Sequence, residues 1–399
     1  MGDPFGDIEG SVFDEKEVLT EDYRPESISE RDEEIETYRH ALSDVLFGHK
    51  PTNIMLYGKA GLGKTAVTSY MMDALEKEVE KREEADAVHI HRVNCNGKSL
   101  YMTVRELVNE LSPPDASPFP ERGLATGDAF SELYRQLDRI RGTHLFIFDE
   151  IDHLDDVDTL LYELPRASSH GRVENAYIGT IGISNSYVFR ERLSPKVKDT
   201  LMETEISFTP YDAPALRTIL EQRAELGFSE GACDRSAIAK AAAIAARDVG
   251  NARQAIDLLR SGGNIADREG DAQVTDDHVE RAREEVERAH LTAQIEDQTD
   301  HAQYILEAVA RLETEGKSPV QSKTVREKYR QVSWEHSTQP LTTLESIRNH
   351  LSDLEMMGFL RTKYRNRGRN GGHYNEYHLN MDADHVIETR EEIEEPAEY

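Results

Sequence analysis

Cysteine is nearly absent from this sequence. Cys95 and Cys233 are too few and too far apart for a disulfide framework or a metal site, which fits a reducing compartment. Long apolar runs are missing as well, and no stretch approaches the roughly 18 residues a membrane span needs. The opening residues, Met1 to Ser11, are acidic where a secretory signal is basic and then apolar, so a cytoplasmic chain is expected. Lysine is scarce: 14 of the 47 basic residues are Lys and 33 are Arg, against 77 acidic residues and a net charge of −30. In dilute salt such a chain would repel a polyanion at long range. Surplus carboxylate with little lysine, however, matches the surface of a protein suited to a salt-saturated cytoplasm, the alternative being an ordinary acidic protein. There the screening length falls to ~3 Å and local contacts decide binding.

At 399 residues the chain is too long for one ordinary core, and two or three domains are expected. Between Pro51 and Ser186 short apolar runs alternate with helical stretches, and Asn53–Tyr57, Ala87–Val93, Leu145–Phe148 and Tyr177–Ile183 read as buried strands of a parallel sheet covered by helices. Pro113, Pro114, Pro118 and Pro120 interrupt this rhythm within Leu111–Gly127, a surface insertion. After Pro210 strands give way to helices through His290, and Asp300–Leu379 reads as three helices and two short strands. The ends, residues 1–18 and the Glu-rich residues 382–399, read as flexible.

The strongest local signal is Gly58-Lys59-Ala60-Gly61-Leu62-Gly63-Lys64-Thr65, which follows a strand and opens a helix at Ala66. Glycines let the backbone turn its N–H groups toward phosphates, the helix N-terminus adds positive potential, Lys64 meets the β- and γ-phosphates, and the Thr65 hydroxyl suits Mg²⁺. A second element, Leu145-Phe146-Ile147-Phe148-Asp149-Glu150, delivers two carboxylates at the C-terminal end of a strand, where open α/β sheets hold ligands. Asp149 is expected to hold Mg²⁺ and Glu150 to polarise the attacking water. Asp152 reads as a helix cap. Asn185, at the end of the next strand, would position water near the γ-phosphate. Arg253 stands in the first turn of a helix, unfavourable for a cation unless an anion such as a nucleotide phosphate compensates it.

Near the C-terminus, Thr342-Thr343-Leu344-Glu345 reads as a capping box. Leu344, Ile347, Leu351, Leu354 and Met357 then form an apolar stripe that ends at Gly358. The opposite face carries Ser346, Arg348, Asn349 and Ser352, which suit a major groove. A Gly-rich hairpin follows between Phe359 and Tyr377, with Arg361, Lys363, Arg365, Arg367 and Arg369 within nine positions and no acid among them. In so acidic a chain this is the place built to meet phosphates. A helix with a basic hairpin is a winged helix, a module that also docks proteins.

With these pieces in order, the chain from Leu19 to Leu379 resembles the archaeal replication initiators related to the origin recognition complex and its helicase-loading partner, a branch of the AAA+ ATPases. The resemblance rests on Leu19-Thr20-Glu21-Asp22-Tyr23-Arg24-Pro25, Glu30 to Ile35, the Gly58 to Thr65 loop, Asp149 to Asp152, Gly182 to Asn185, and Gly250 to Arg253. It implies an AAA+ domain over residues 19–209, a helical lid over 210–295 and a winged helix over 296–381. It further implies that Tyr23, Arg24 and Pro25 line the adenine pocket, and that Asn185 and Arg253 are the first and second sensors. Lys196 stands where the family commonly has an arginine finger, and it lacks the guanidinium fork. The implied protein binds ATP or ADP with Mg²⁺, hydrolyses ATP slowly as a switch, grips origin duplex DNA near the nucleoid, alone or beside copies of itself, and assists loading of the replicative helicase. In the same resemblance the wing enters the minor groove, and the insertion within residues 96–127 touches DNA. A second reading is a DNA-bound regulator or accessory paralogue whose nucleotide is structural. A third reading, a generic unfoldase, is disfavoured because this sequence shows no recognisable aromatic pore loop.

Overall fold

The computed structural model describes residues 11–21, 23–82, 87–366 and 373–394, and the chain divides into two compact units, residues 1–280 and 281–399.

In the first unit α1 (Asp32–Leu42) precedes β1 (Ile54–Tyr57), α2 (Lys64–Glu80), β2 (Val88–Asn94), α3 (Leu100–Leu111), α4 (Thr126–Ile140) and β3 (Gly142–Asp149). Then come α5 (Val157–Glu163), β4 (Ala176–Ser184), the short α6 (Phe189–Arg192) and α7 (Pro195–Leu201), and β5 (Thr204–Ser207). The five strands form a parallel sheet in the order β2-β3-β4-β1-β5. Alternate residues of each strand serve opposite faces, and both faces are apolar. Ile54, Leu56, Ile147 and Ile181 join one core, whereas Met55, Tyr57, Phe146 and Phe148 join the other. The four strands expected from the sequence are present with slightly different ends. β5 was not expected: in Thr-Glu-Ile-Ser only Ile206 is buried, so an edge strand leaves no apolar run.

Helices α8 (Ala213–Gly227), α9 (Arg235–Asp248) and α10 (Ala252–Glu269) follow, each opened by a side-chain cap from Asp212, Asp234 and Asn251. The expectation of a flexible N-terminus fails for residues 11–18. Val12 and Phe13 are buried, Phe13 stacks on Phe228 at 4.9 Å, and the Val12 N–H donates to Asp267 at 2.7 Å. Two apolar residues in an acidic context were enough to pin the segment. The proline-rich stretch is the connection from α3 to α4, as expected.

Helix α11 (Asp276–Glu296) leads into the second unit, which holds α12 (Asp300–Thr314), β6 (Val320–Gln321), α13 (Ser322–Glu335), α14 (Leu344–Met356), β7 (Leu360–Asn366), β8 (His373–Leu379) and α15 (Ala383–Glu394). The three strands pair antiparallel in the order β6-β8-β7. Ile347, Leu351 and Leu354 of α14 are buried, but Met357 is half exposed, so the apolar stripe is one position shorter than its spacing suggested. The cap also shifts. Thr343, not Thr342, accepts the Ser346 N–H at 3.1 Å, and no capping box forms with Glu345. The acidic tail, expected to be flexible, is ordered over residues 383–394. These residues are helical, and Val386, Thr389 and Arg390 are buried. Arg390 donates to Gln303 at 2.6 Å, lies over the Tyr304 ring and approaches Glu307 at 3.6 Å, so α15 is part of the core.

Candidate nucleotide and DNA sites

The loop between β1 and α2 turns through three glycines with positive φ: Gly58 at 155°, Gly61 at 76° and Gly63 at 88°. A Cβ on Gly58 would meet the Phe208 carbonyl at 2.7 Å, and one on Gly61 would fall 1.8 Å from the Asn251 side chain, so a larger residue is excluded at both by space as well as by φ. Lys64 is buried and its ammonium donates to the carbonyls of Gly58 at 2.6 Å and Lys59 at 2.8 Å and to Asn185 Oδ1 at 2.9 Å. Burial pushes its pKa down to about 8, and the carboxylates of Asp149 and Asp152 pull the other way.

Thr65 donates to Asp149 Oδ2 at 2.9 Å. Two adjacent ligands of an octahedral magnesium, each ~2.1 Å from the ion, stand about this far apart, so the oxygen pair fits Mg²⁺. Asp149 also accepts the Glu150 N–H at 3.0 Å. Glu150 adopts a left-handed backbone, φ 53°, which turns its side chain away from the strand path toward Asn185, whose amide nitrogen is 3.5 Å from Oε1. Asp152 does not cap a helix. It accepts the Asn185 N–H at 3.2 Å and so fixes the end of β4 against the end of β3.

These groups open into a cleft of about 890 Å³ lined by Tyr23, Arg24, Pro25, Ala60, Gly61, Gly63, Lys64, Thr65, Ala66, Asp149, Glu150, Asn185 and Arg253. Gly58, Lys59 and Leu62 belong to the loop but do not line the cleft, and Leu62 is fully buried. Arg253 Nε lies 3.3 Å from Glu21, both more than half exposed, an ion pair weak enough to exchange for another anion. Lys196 is not on the cleft wall. Its ammonium sits 3.6 Å above the Tyr162 ring, whose phenol pKa it lowers by a hydrogen bond, and Arg166 donates to the same hydroxyl at 2.7 Å.

Sequence reading gave no role to two arginines here, although Arg31 lies in the Glu30 to Ile35 segment that carries the resemblance. Arg223 of α8 covers the Tyr23 ring at 4.4 Å and donates to the Val18 carbonyl at 3.0 Å, tying the segment that carries Tyr23 to the helical domain. Arg31, only 4% exposed, reaches the phosphate-type loop itself. Neither contact has a local sequence signal, because the partners lie far away along the chain.

The chain matches the family model of the AAA domain over residues 48–185, that of the Cdc6 AAA+ ATPase-type lid domain over 217–284, and that of the CDC6 C-terminal winged helix domain over 293–389. An ORC1-type DNA replication protein of Halobacterium salinarum is 47% identical, with 97% of this chain and 98% of that protein aligned. This chain belongs to the ORC1-type DNA replication proteins. Another such protein, from Haloarcula marismortui, is 41% identical over 96% of this chain and 93% of its own. Among solved structures, the Aeropyrum pernix ORC1 protein in complex with DNA superposes with a TM-score of 0.70 at 32% identity, covering 96% of this chain and 98% of that one. The family is that of replication initiators, and the fold is an AAA+ domain with a lid and a C-terminal winged helix. Among the described residues no helix is long and apolar enough to cross a membrane.

In the winged helix of this ORC1-type chain, Arg348 and Asn349 are exposed on α14, and Arg348 reaches Ser322 at 3.4 Å. Arg361, Lys363 and Arg365 are exposed at alternate positions of β7 and so share one face of the hairpin. Register adds an acid that the linear spacing hid. Glu376 pairs across from Lys363 and accepts a hydrogen bond from Arg365 at 2.9 Å, which raises the Arg365 pKa. Arg367 and Arg369 lie outside the described residues.

Proposed function

We propose that this initiator binds ATP or ADP with Mg²⁺ in the cleft and hydrolyses ATP slowly. The nucleotide state would control its grip on origin duplex DNA and its assistance in loading the replicative helicase. The observation that carries the reading is the chain of contacts Thr65–Asp149–Glu150–Asn185–Lys64, which gathers a phosphate-binding cation, two carboxylates and a polar amide in one cleft beside Arg253. Lys64 would exchange its carbonyl partners for the β- and γ-phosphates, with Gly58 to Ala66 supplying the loop around them. Thr65 and Asp149 would hold Mg²⁺, which supplies charge neutralisation at the phosphates. A water held between Glu150 and Asn185 would attack Pγ, its proton passing to the Glu150 carboxylate as the bond to the ADP oxygen breaks, and Arg253 would balance the charge. Tyr23, Arg24 and Pro25 would hold the adenine. The proposed parts are an AAA+ domain over 19–209, a lid over 210–295 and a winged helix over 296–381, in a cytoplasmic protein working at the nucleoid.

Duplex DNA would be met by Arg348 and Asn349 on α14 and by Arg361, Lys363, Arg365, Arg367 and Arg369 of the wing. The Aeropyrum pernix relative solved in complex with DNA supports this reading. The test of the switch is a pair of variants: Lys64→Ala should lose nucleotide affinity, whereas Glu150→Gln should keep it and lose phosphate release. Parental turnover in Glu150→Gln would remove the catalytic role. The alternative of an accessory regulator with structural nucleotide is favoured by Lys196, whose ammonium is engaged with Tyr162 and lacks the fork of an arginine finger. Parental DNA binding by a chain that binds ATP without turnover would select that alternative.

A further inference from the structure

A loop that aims its N–H groups at phosphates must turn its carbonyls outward, and each buried carbonyl then needs a donor. In this loop the donors come from three places. Lys64 serves Gly58 and Lys59, the Ala252 N–H of the lid serves Gly61 at 3.1 Å, and Arg31 Nη2 serves Leu62 at 3.1 Å. Lys64 must leave its carbonyls to meet a phosphate. The other two donors are not phosphate ligands and can stay.

Arg31 does more than satisfy one carbonyl. The same nitrogen donates to the Thr209 carbonyl at 2.8 Å, Nε donates to the Tyr211 hydroxyl at 2.8 Å, and the guanidinium lies 3.8 Å above the Tyr211 ring. Glu34 supplies the counter-charge at 2.7 Å. Thr209 to Tyr211 is the connection from β5 to α8, where the lid begins. Tyr211 in turn touches both sides: a Cβ on Gly63 would come 2.9 Å from its hydroxyl, and its N–H donates to Gly250 at 3.0 Å, two residues before Ala252. A closed circuit therefore runs from the loop through Arg31 and Tyr211 to the start of α10 and back to Gly61.

We infer that Arg31 is a positioning residue that couples occupancy of the phosphate loop to the lid, by holding loop and hinge with one buried guanidinium. Lysine cannot replace it, because a point charge cannot serve Leu62, Thr209 and Tyr211 together. The inference rests on the nucleotide reading above, and its readout is the Ala252 amide.

The experiment is hydrogen exchange on the full chain with and without saturating ATP or ADP, with affinity measured separately by equilibrium binding of the same nucleotides. In the parent, nucleotide should slow exchange across residues 250–257 by tenfold or more. Tyr211→Phe removes one acceptor and keeps the ring, so it should bind nucleotide within about threefold of the parent yet lose most of that slowing. Arg31→Lys should lose the slowing and at least tenfold in affinity. Tyr211→Phe carries the test if Arg31→Lys does not fold. Parental slowing in Tyr211→Phe overturns the coupling and leaves nucleotide binding intact. A parent chain that binds neither ATP nor ADP overturns both readings, and the binding measurement alone reveals that case.

Discussion

Asn185 Oδ1 accepts a hydrogen bond from the Lys64 ammonium at 2.9 Å, joining the end of β4 to the first residue of α2. Asp152 fixes the Asn185 backbone and Glu150 stands beside its amide, so this side chain sits between the cation and the carboxylate rather than at the cleft edge.

Asn185→Ala is therefore expected to leave ATP affinity within a few-fold and to lower turnover by about a hundredfold, the usual scale for removing one preorganised polar group. Phosphate release at saturating ATP, with binding measured separately, decides it. Turnover equal to the parent would take Asn185 out of the mechanism.

The wing predictions follow from register. Replacing Arg361, Lys363 and Arg365 with Ala should weaken binding to every duplex alike and reduce the salt slope by about one unit for each phosphate no longer met. Glu376→Gln should strengthen binding, because it releases Arg365 from its acidic partner. Arg348→Ala and Asn349→Ala should cost the cognate site roughly 1 to 3 kcal/mol more than random DNA for each base contact. Titrations on origin and scrambled duplexes across a salt series test all four. Unchanged affinity in the triple variant would make the winged helix a protein-docking module.

Acid should unfold the first unit through His144. This imidazole donates through Nε2 to the Arg141 carbonyl and packs beside His89 and His91, and burial pushes its pKa down to about 3. An unfolded histidine titrates near 6.5, so below that pH the unfolded chain takes up a proton that the native chain refuses. The stability His144 contributes is complete above about pH 6.5 and falls by up to ~1.4 kcal/mol per pH unit as pH drops toward 3. Urea unfolding at pH 6.5 and 5 should show a shallower loss in His144→Gln than in the parent. Equal slopes would show that His144 takes up its proton in the native state as readily as in the unfolded one.

Ending the chain after Met381 should destabilise the winged helix, since it removes Val386 from the core and the Arg390 charge from beside buried Glu307. Glu307 keeps Arg311 and His336 as partners, so the cost is mainly lost apolar burial, about 1.5 to 3 kcal/mol for Val386 alone. Thermal unfolding of the truncated chain is the check, and a parental melting curve would mean that α15 contributes nothing.

The phosphate loop, the Asp-Glu strand and the basic hairpin were legible because each is a short pattern whose chemistry and backbone demands coincide. Strands β1, β3 and β4 were legible because burial on both faces makes them nearly continuous apolar runs. Edge strand β2 is mostly half-buried and showed itself only through Val88, Ile90 and Val93 alternating with polar residues. Strand β5 was not legible, with one buried residue in four. Helix α15 hid behind its glutamates, since two of the buried positions on its packed face are Thr389 and Arg390, which do not register as apolar. The contacts of Arg31 and Glu376 were invisible for another reason. Arg31 finds Tyr211 across 180 residues, and the Glu376 pairing with Arg365 depends on strand register.

Glu150 adds one consequence. Its left-handed backbone, φ 53°, is a conformation that glycine or asparagine would adopt at lower cost. A chain selected only for a stable fold would drift away from glutamate here, giving up about 1 kcal/mol of strain. Keeping a carboxylate at this turn is a compromise between endurance and action, made at the position proposed to act.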